Sequence, residues 1–296
     1  MREPFHFTSA PAPAPARDAR QGFTLLELLV AVAVIAVVAT IGTAAYTSVK
    51  TSARAAVSAN NLRQLAAANI AFATDHEDRF SPTWDAQNQV RWHGGRSSQG
   101  QPFVVADGFL GDYLQSGGAV HCPLFADYVS RTEETEESEI TFEEGAGGYG
   151  YNDEYIGSEP GRSDRIRYPF NGRTLRLFSR GTLLSRVLYP SHTVMFTTTA
   201  LARESGIQEY PISHPPKAIQ SGGASGYGYQ PSVHFRANGK ALVAWCDGHV
   251  TAEPPNDNSS TNNVYGGDNA AAEIGFFGPE IDNGYWNPIY LKLHPR

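Results

Sequence analysis

Only two cysteines, Cys122 and Cys246, occur in 296 residues, and charged side chains make up no more than 18% of them. The cysteine count permits at most one intrachain bridge, and no compact zinc-finger spacing joins the cysteines to the nine histidines. Also missing are a GxxxxGK[ST] phosphate loop, a dinucleotide fingerprint, an internal repeat, and any Ser-His-Asp, paired-carboxylate or Cys-His grouping. These absences predict neither an enzyme nor a cofactor-binding protein, and no metal. With 23 basic against 30 acidic side chains the net charge is −7, and the arginines do not cluster with aromatics. Direct nucleic-acid binding is therefore not expected.

The charge that exists is unevenly spread. From Phe23 to Tyr46 the single charged side chain is Glu27, in 24 otherwise apolar or small residues. As a helix this stretch would measure about 36 Å, against a hydrocarbon thickness of about 30 Å, so the reading is a transmembrane helix. Arg17 and Arg20 precede it and predict that its N-terminal end stays cytoplasmic while the rest is exported. Residues 1–22 contain three alternating Ala-Pro pairs and read as an extended leader. Beyond Tyr46 an apolar stripe of Val49, Ala53, Val57, Leu62, Leu65, Ala66 and Phe72 continues the helix to about Glu77, before Ser81-Pro82 stops it. The expected organisation is a leader at 1–22, a long helix at 23–80 whose first half crosses the membrane, and an exported α+β head at 81–296.

Frequent Gly, Pro and Asn in the head separate short β-prone segments, with candidate strands at Gln101 to Ala106, Thr174 to Phe178, Thr193 to Thr198 and Ala241 to Trp245. The last is followed by Cys246-Asp247-Gly248-His249. This reads as a strand-turn-strand corner in which Asp247 accepts turn amides and Gly248 supplies an unusual backbone angle. Seven glutamates between Glu133 and Glu144 form an acidic insertion without the ligand pattern of a calcium loop. Gly-Tyr-rich runs at 145–152 and 221–229 read as rim loops. In an exported compartment Cys122 and Cys246 either form a disulfide or stand as two buried thiols.

The run Gly22-Phe23-Thr24-Leu25-Leu26-Glu27, continuing to Gly42, resembles the signal and first helix of type IV pilins and type II secretion pseudopilins. The resemblance implies that a prepilin peptidase cuts between Gly22 and Phe23 and that Phe23 becomes the methylated N-terminus of a 274-residue chain. It also implies that Glu27 pairs with the N-terminal amine of a neighbouring subunit. The implied partners are the peptidase, other pilin or pseudopilin subunits and the inner membrane. The implied fold is a long helix followed by a pilin-like head with an antiparallel sheet. The implied function is a structural subunit, single-pass in the inner membrane with a periplasmic head, assembled through its helix into a pilus or pseudopilus. An anchored periplasmic binding protein or enzyme is the alternative. The segment from Asn238 to Val250 further resembles the ending of the H-X9-DG pseudopilin-like family, as do His121-Cys122-Pro123 and Gly150-Tyr151-Asn152. Ten positions before Asp247, however, this chain has Ala237, and the nearest upstream histidine is His234.

Overall fold

A computed structural model describes residues 24–98, 100–114, 117–129, 145–159, 166–204, 206–217, 230–256, 263 and 265–289. The chain divides into two compact units with the boundary between Ser48 and Val49.

Helix α1 (Leu25–Asp75) is 51 residues long. In the first unit its described apolar side chains run from Leu25 to Ile41 and are exposed on every face, with Leu25 at 88% and Ile41 at 66%. Among the described residues no helix is long and apolar enough to cross a membrane. The expected transmembrane first half is corrected accordingly. The single-pass inner-membrane topology, the inner membrane as a partner, and a subunit assembled through a membrane-embedded helix have no spanning helix among the described residues to rest on.

In the second unit α1 hides a seam of Ser58, Leu62, Leu65, Asn69 and Phe72, spaced by four and three residues so that all face one side. The expected stripe was out of phase at its start: Val49 and Val57 are exposed at 68% and 51%, and polar Ser58 takes the buried place. The buried polar groups are satisfied by two tyrosines of one strand. The Ser58 hydroxyl lies 2.8 Å from the Tyr149 hydroxyl, and Asn69 Nδ2 donates to the Tyr151 hydroxyl at 2.9 Å. Each buried Leu or Phe of the seam contributes about 1.5–3 kcal/mol, and the paired Ser and Asn fix which residues it meets.

The strands are β1 (Val90–Arg91), β2 (Gly94–Gly95), β3 (Tyr149–Tyr151), β4 (Ile166–Phe170), β5 (Arg173–Leu177), β6 (Val194–Thr198), β7 (Leu201–Arg203), β8 (Gly206–Gln208), β9 (Val233–His234), β10 (Ala241–Trp245), β11 (Val250–Glu253) and β12 (Ile274–Gly275). One four-stranded antiparallel sheet has the order β11-β10-β6-β3, and the others pair off as β1-β2, β4-β5, β7-β8 and β9-β12. This corrects the expected pilin-like head: among the described residues there are several small antiparallel sheets and no closed, barrel-like one. Strands of two to five residues, interrupted by Gly, Pro and Asn turns, are too short to build a single large sheet. Of the segments expected as strands, Gln101 to Ala106 is none. It gives only an isolated bridge from Val104 to Gly95 and leads into a turn of 3-10 helix.

Strand β10 is buried along its whole length. Leu242 and Ala244 join the cluster containing the α1 seam, while Ala241, Val243 and Trp245 join a second cluster with Phe235, Phe277 and Trp286. Two-sided burial is why Ala-Leu-Val-Ala-Trp is apolar throughout instead of alternating.

Candidate functional site

Residues Gly22 and Phe23, the expected processing junction, lie outside the described residues, as do the acidic segment 133–144 and the run 221–229. Thr24 and Glu27 close the first turn of α1 on each other. Glu27 Oε2 accepts from the Thr24 amide and the Thr24 hydroxyl, both at 2.9 Å, and the Glu27 amide donates to Thr24 Oγ1 at 3.2 Å. This is a capping box, in which a Thr and the Glu three residues later satisfy each other's orphan amides. The Thr24 amide and hydroxyl hold the Glu27 carboxyl below the usual glutamate range. The signal, Thr-Leu-Leu-Glu before an apolar run, stands in the sequence beside the resemblance that drew attention to Glu27 for a different reason.

The Asp247-Gly248-His249 segment is the connection between β10 and β11. Ala244 pairs with Val250, and Gly248 sits at φ +90, where a side chain would be strained. Asp247 Oδ1 accepts from the His249 amide at 3.1 Å and lies 2.6 Å from His249 Nδ1. Partial burial pushes the Asp247 carboxyl up, but the His249 hydrogen bonds and charge outweigh it and bring it below its ordinary value. The His249 ring stacks on Trp245 with centroids 5.6 Å apart and planes 9° from parallel. The Asp247 carboxylate is thus engaged with its own hairpin, and His234 is engaged elsewhere.

His234, on β9, is fully buried, with Nδ1 2.7 Å from Arg236 Nη1. Burial and the Arg236 charge push it well below the usual imidazole value, so it is neutral. Arg236 is the centre of a buried polar cluster in the head. Its guanidinium donates to the Thr199 carbonyl at 3.1 Å and to the Gly148 carbonyl, and it lies over the Phe125 ring at 4.8 Å. Nearby, Cys122 Sγ is 3.2 Å from the Ser58 hydroxyl, which in turn meets Tyr149. Burial pushes the Cys122 thiol up, yet the Arg236 charge and the Ser58 hydrogen bond outweigh it and lower it overall. Cys246 goes the other way, raised well above the ordinary value by burial and by Asp247. Both cysteines are free and buried, so the bridge that the sequence permitted is not formed. Nothing in the sequence separated these two thiols, because the charge on Cys122 comes from a residue 114 positions away.

Among the described residues no group of three or more His, Cys, Asp and Glu side chains is placed to hold a metal ion, so His121, Asp247, His249 and the cysteines do not converge as a ligand set. Asn152 of the Gly150-Tyr151-Asn152 segment is a framework residue. Its side chain donates to the Val194 and Trp286 carbonyls at 2.8 and 3.0 Å, tying β6 to the chain near residue 286. Gly150 has no room for a side chain, since a Cβ there would come within 2.4 Å of Thr199 and 2.6 Å of the Ile212 backbone.

A model of the prokaryotic N-terminal methylation motif matches residues 17–43. The chain therefore carries, at its N-terminal end, a motif typical of prepilin and pseudopilin proteins. No curated protein and no solved structure matches the chain significantly.

Proposed function

We propose that this chain is a pseudopilin-like protein matured by prepilin-type processing: cleavage between Gly22 and Phe23, followed by methylation of the new amino group on Phe23. The observation that carries the reading is the methylation motif at residues 17–43, with its Gly22-Phe23 junction and the Thr24–Glu27 capping box immediately after it. The basic residues Arg17 and Arg20 lie on the leader side of the junction and Glu27 on the mature side, which gives the segment a direction.

In this reading the remainder of the chain is a non-catalytic head. Its support is that buried polar side chains among the described residues are spent on the head's own framework, Arg236 on two carbonyls and His234 and Asn152 on two carbonyls, while the exposed Asp247 is engaged with its own hairpin. The test is the Gly22→Ala variant expressed in the native host beside the parent chain. The parent should run as the shorter, processed form and the variant as the full-length precursor. Equal mobility of the two, both at precursor size, would overturn the proposal.

A further inference from the structure

Strands β4 and β5 form a hairpin whose outward face carries charge of one sign. Alternation turns Ile166, Tyr168 and Phe170 of β4 and Leu175 and Leu177 of β5 toward the head, and leaves Arg167, Pro169, Thr174 and Arg176 exposed. In this register Arg167 and Arg176 are direct partners across the two strands. Side chains so placed have Cβ atoms about 5 Å apart, where like charges are destabilising. Among the described residues no carboxylate lies within ion-pair distance of either. A third exposed arginine, Arg173, stands at the hairpin tip beside the Asn171-Gly172 turn. Arg180, just beyond β5, is by contrast paired with Glu77 at 3.6 Å.

Nothing in the packing of the head calls for a repelling arginine pair on this hairpin, in a chain whose net charge is −7. Counter-charge is concentrated at one place in the sequence, the seven glutamates from Glu133 to Glu144, with no Lys or Arg among them. The residue that follows this run is fixed close to the hairpin. Gly145 and Gly147 donate their amides to Glu209 at 2.8 and 3.0 Å, and a Cβ on Gly145 would come within 3.0 Å of Phe103. Arg96 lies over the same Phe103 ring at 4.3 Å, and Arg96, Asp107 and Arg173 line one cavity of about 210 Å³. Twelve residues can reach about 40 Å, whereas strands of five residues measure about 17 Å. The run therefore ends beside the hairpin tip and has the length to lie along its face.

We propose that the outward face of the β4–β5 hairpin is the docking surface for the chain's own Glu133–Glu144 run, whose carboxylates pair with Arg167, Arg173 and Arg176. Arginine suits the role because its planar fork takes a carboxylate through two parallel hydrogen bonds. Docking offsets the repulsion between Arg167 and Arg176 and that among the glutamates at the same time. Each pair is exposed, hence weak and screened by salt, and three together favour the docked state about fivefold at low ionic strength.

The test is carbodiimide cross-linking of the full chain, which joins a lysine amine to a glutamate carboxyl held against it. The native lysines are Lys50, Lys217, Lys240 and Lys292, none of them on the hairpin, so Arg176→Lys places one reporter there. At low salt the variant should yield, in the monomer band, a linked peptide pair joining position 176 to the 133–144 run. Its yield should exceed that from Lys240, exposed at the Asn238-Gly239 turn, by about fivefold, and should fall to the Lys240 level at high salt. Independently, the double variant Arg167→Gln/Arg176→Gln should be cut in this run by a glutamate-specific protease about fivefold faster than the parent at low salt, and equally fast at high salt. Absence of the linked pair, a yield no higher than from Lys240, a link found only between two chains, or equal cleavage of parent and double variant at low salt would each overturn the proposal.

Discussion

Asn69 links α1 to the sheet in the second unit, and replacing it shows how far the buried polar seam supports the head. Asn69 is fully buried, donates to the Tyr151 hydroxyl at 2.9 Å and accepts the Ser81 amide at 2.9 Å. Asn69→Ala leaves the Ser81 amide unpaired, at about 1–3 kcal/mol, and removes one of the two hydrogen bonds of Tyr151, at about 1 kcal/mol. Tyr151 retains its bond to the Ser81 carbonyl at 3.1 Å. Against this, alanine is better than asparagine inside a helix by about 0.6 kcal/mol. The balance is a loss of about 2 kcal/mol, read as a lower urea midpoint with unchanged m-value. Gln64→Ala, on the exposed side of the same helix, is the control and should change stability by less than about 0.5 kcal/mol. A double-mutant cycle with Tyr151→Phe should give a coupling of about 1 kcal/mol. If Asn69→Ala matches Gln64→Ala, the buried hydrogen bonds do not hold the helix to the sheet and the reasoning fails.

Acid should weaken the head before its carboxylates titrate. His214 is held at about 4 by burial, and His93 and His234 lie well below the ordinary value for the same reason. The unfolded chain takes up these protons near pH 6.5 while the folded chain does not, so stability is full above that pH and falls between pH 6.5 and 4. Buried Asp153, raised by desolvation, has the opposite sign but acts nearer the carboxylate range. Urea midpoints at pH 7, 6 and 5 should decline steadily, and a flat series would contradict the neutral buried histidines. Gly248→Ala, forcing a side chain to φ +90, should cost about 1 kcal/mol in thermal unfolding without altering the fold. Gly150→Ala, which meets backbone as well as Thr199, should cost more, and equal effects would argue against the close approach. Iodoacetamide should label Cys122 ahead of Cys246, as followed by peptide mass, because the Arg236 charge and the Ser58 hydrogen bond favour one thiolate while burial and Asp247 oppose the other. Equal rates would count against that electrostatic difference.

What the sequence revealed was local. The apolar run Ala241 to Trp245, the turn that follows it, and the Thr24-Leu-Leu-Glu27 helix start are each written in adjacent residues, where propensity and spacing act directly. The seam of α1 was harder to read because Ser58 and Asn69 occupy core positions. They are tolerated only since Tyr149 and Tyr151, some eighty to ninety positions later, supply their partners. The same distance effect hid the Cys122–Arg236 pairing. The expectation of a membrane span rested on composition over 24 residues, and the expectation of one pilin-like sheet rested on family likeness. The described structure shows neither, for strands this short cannot be extended by resemblance.

If the proposed processing takes place, the working chain begins at Phe23. It is tested most directly by the N-terminal peptide mass of the protein isolated from cells that express it together with their own processing enzymes. The peptide should start at Phe23 and be heavier than the plain sequence by one methyl group. A peptide that still carries residues on the leader side of Gly22, with no Phe23 terminus present, would contradict it.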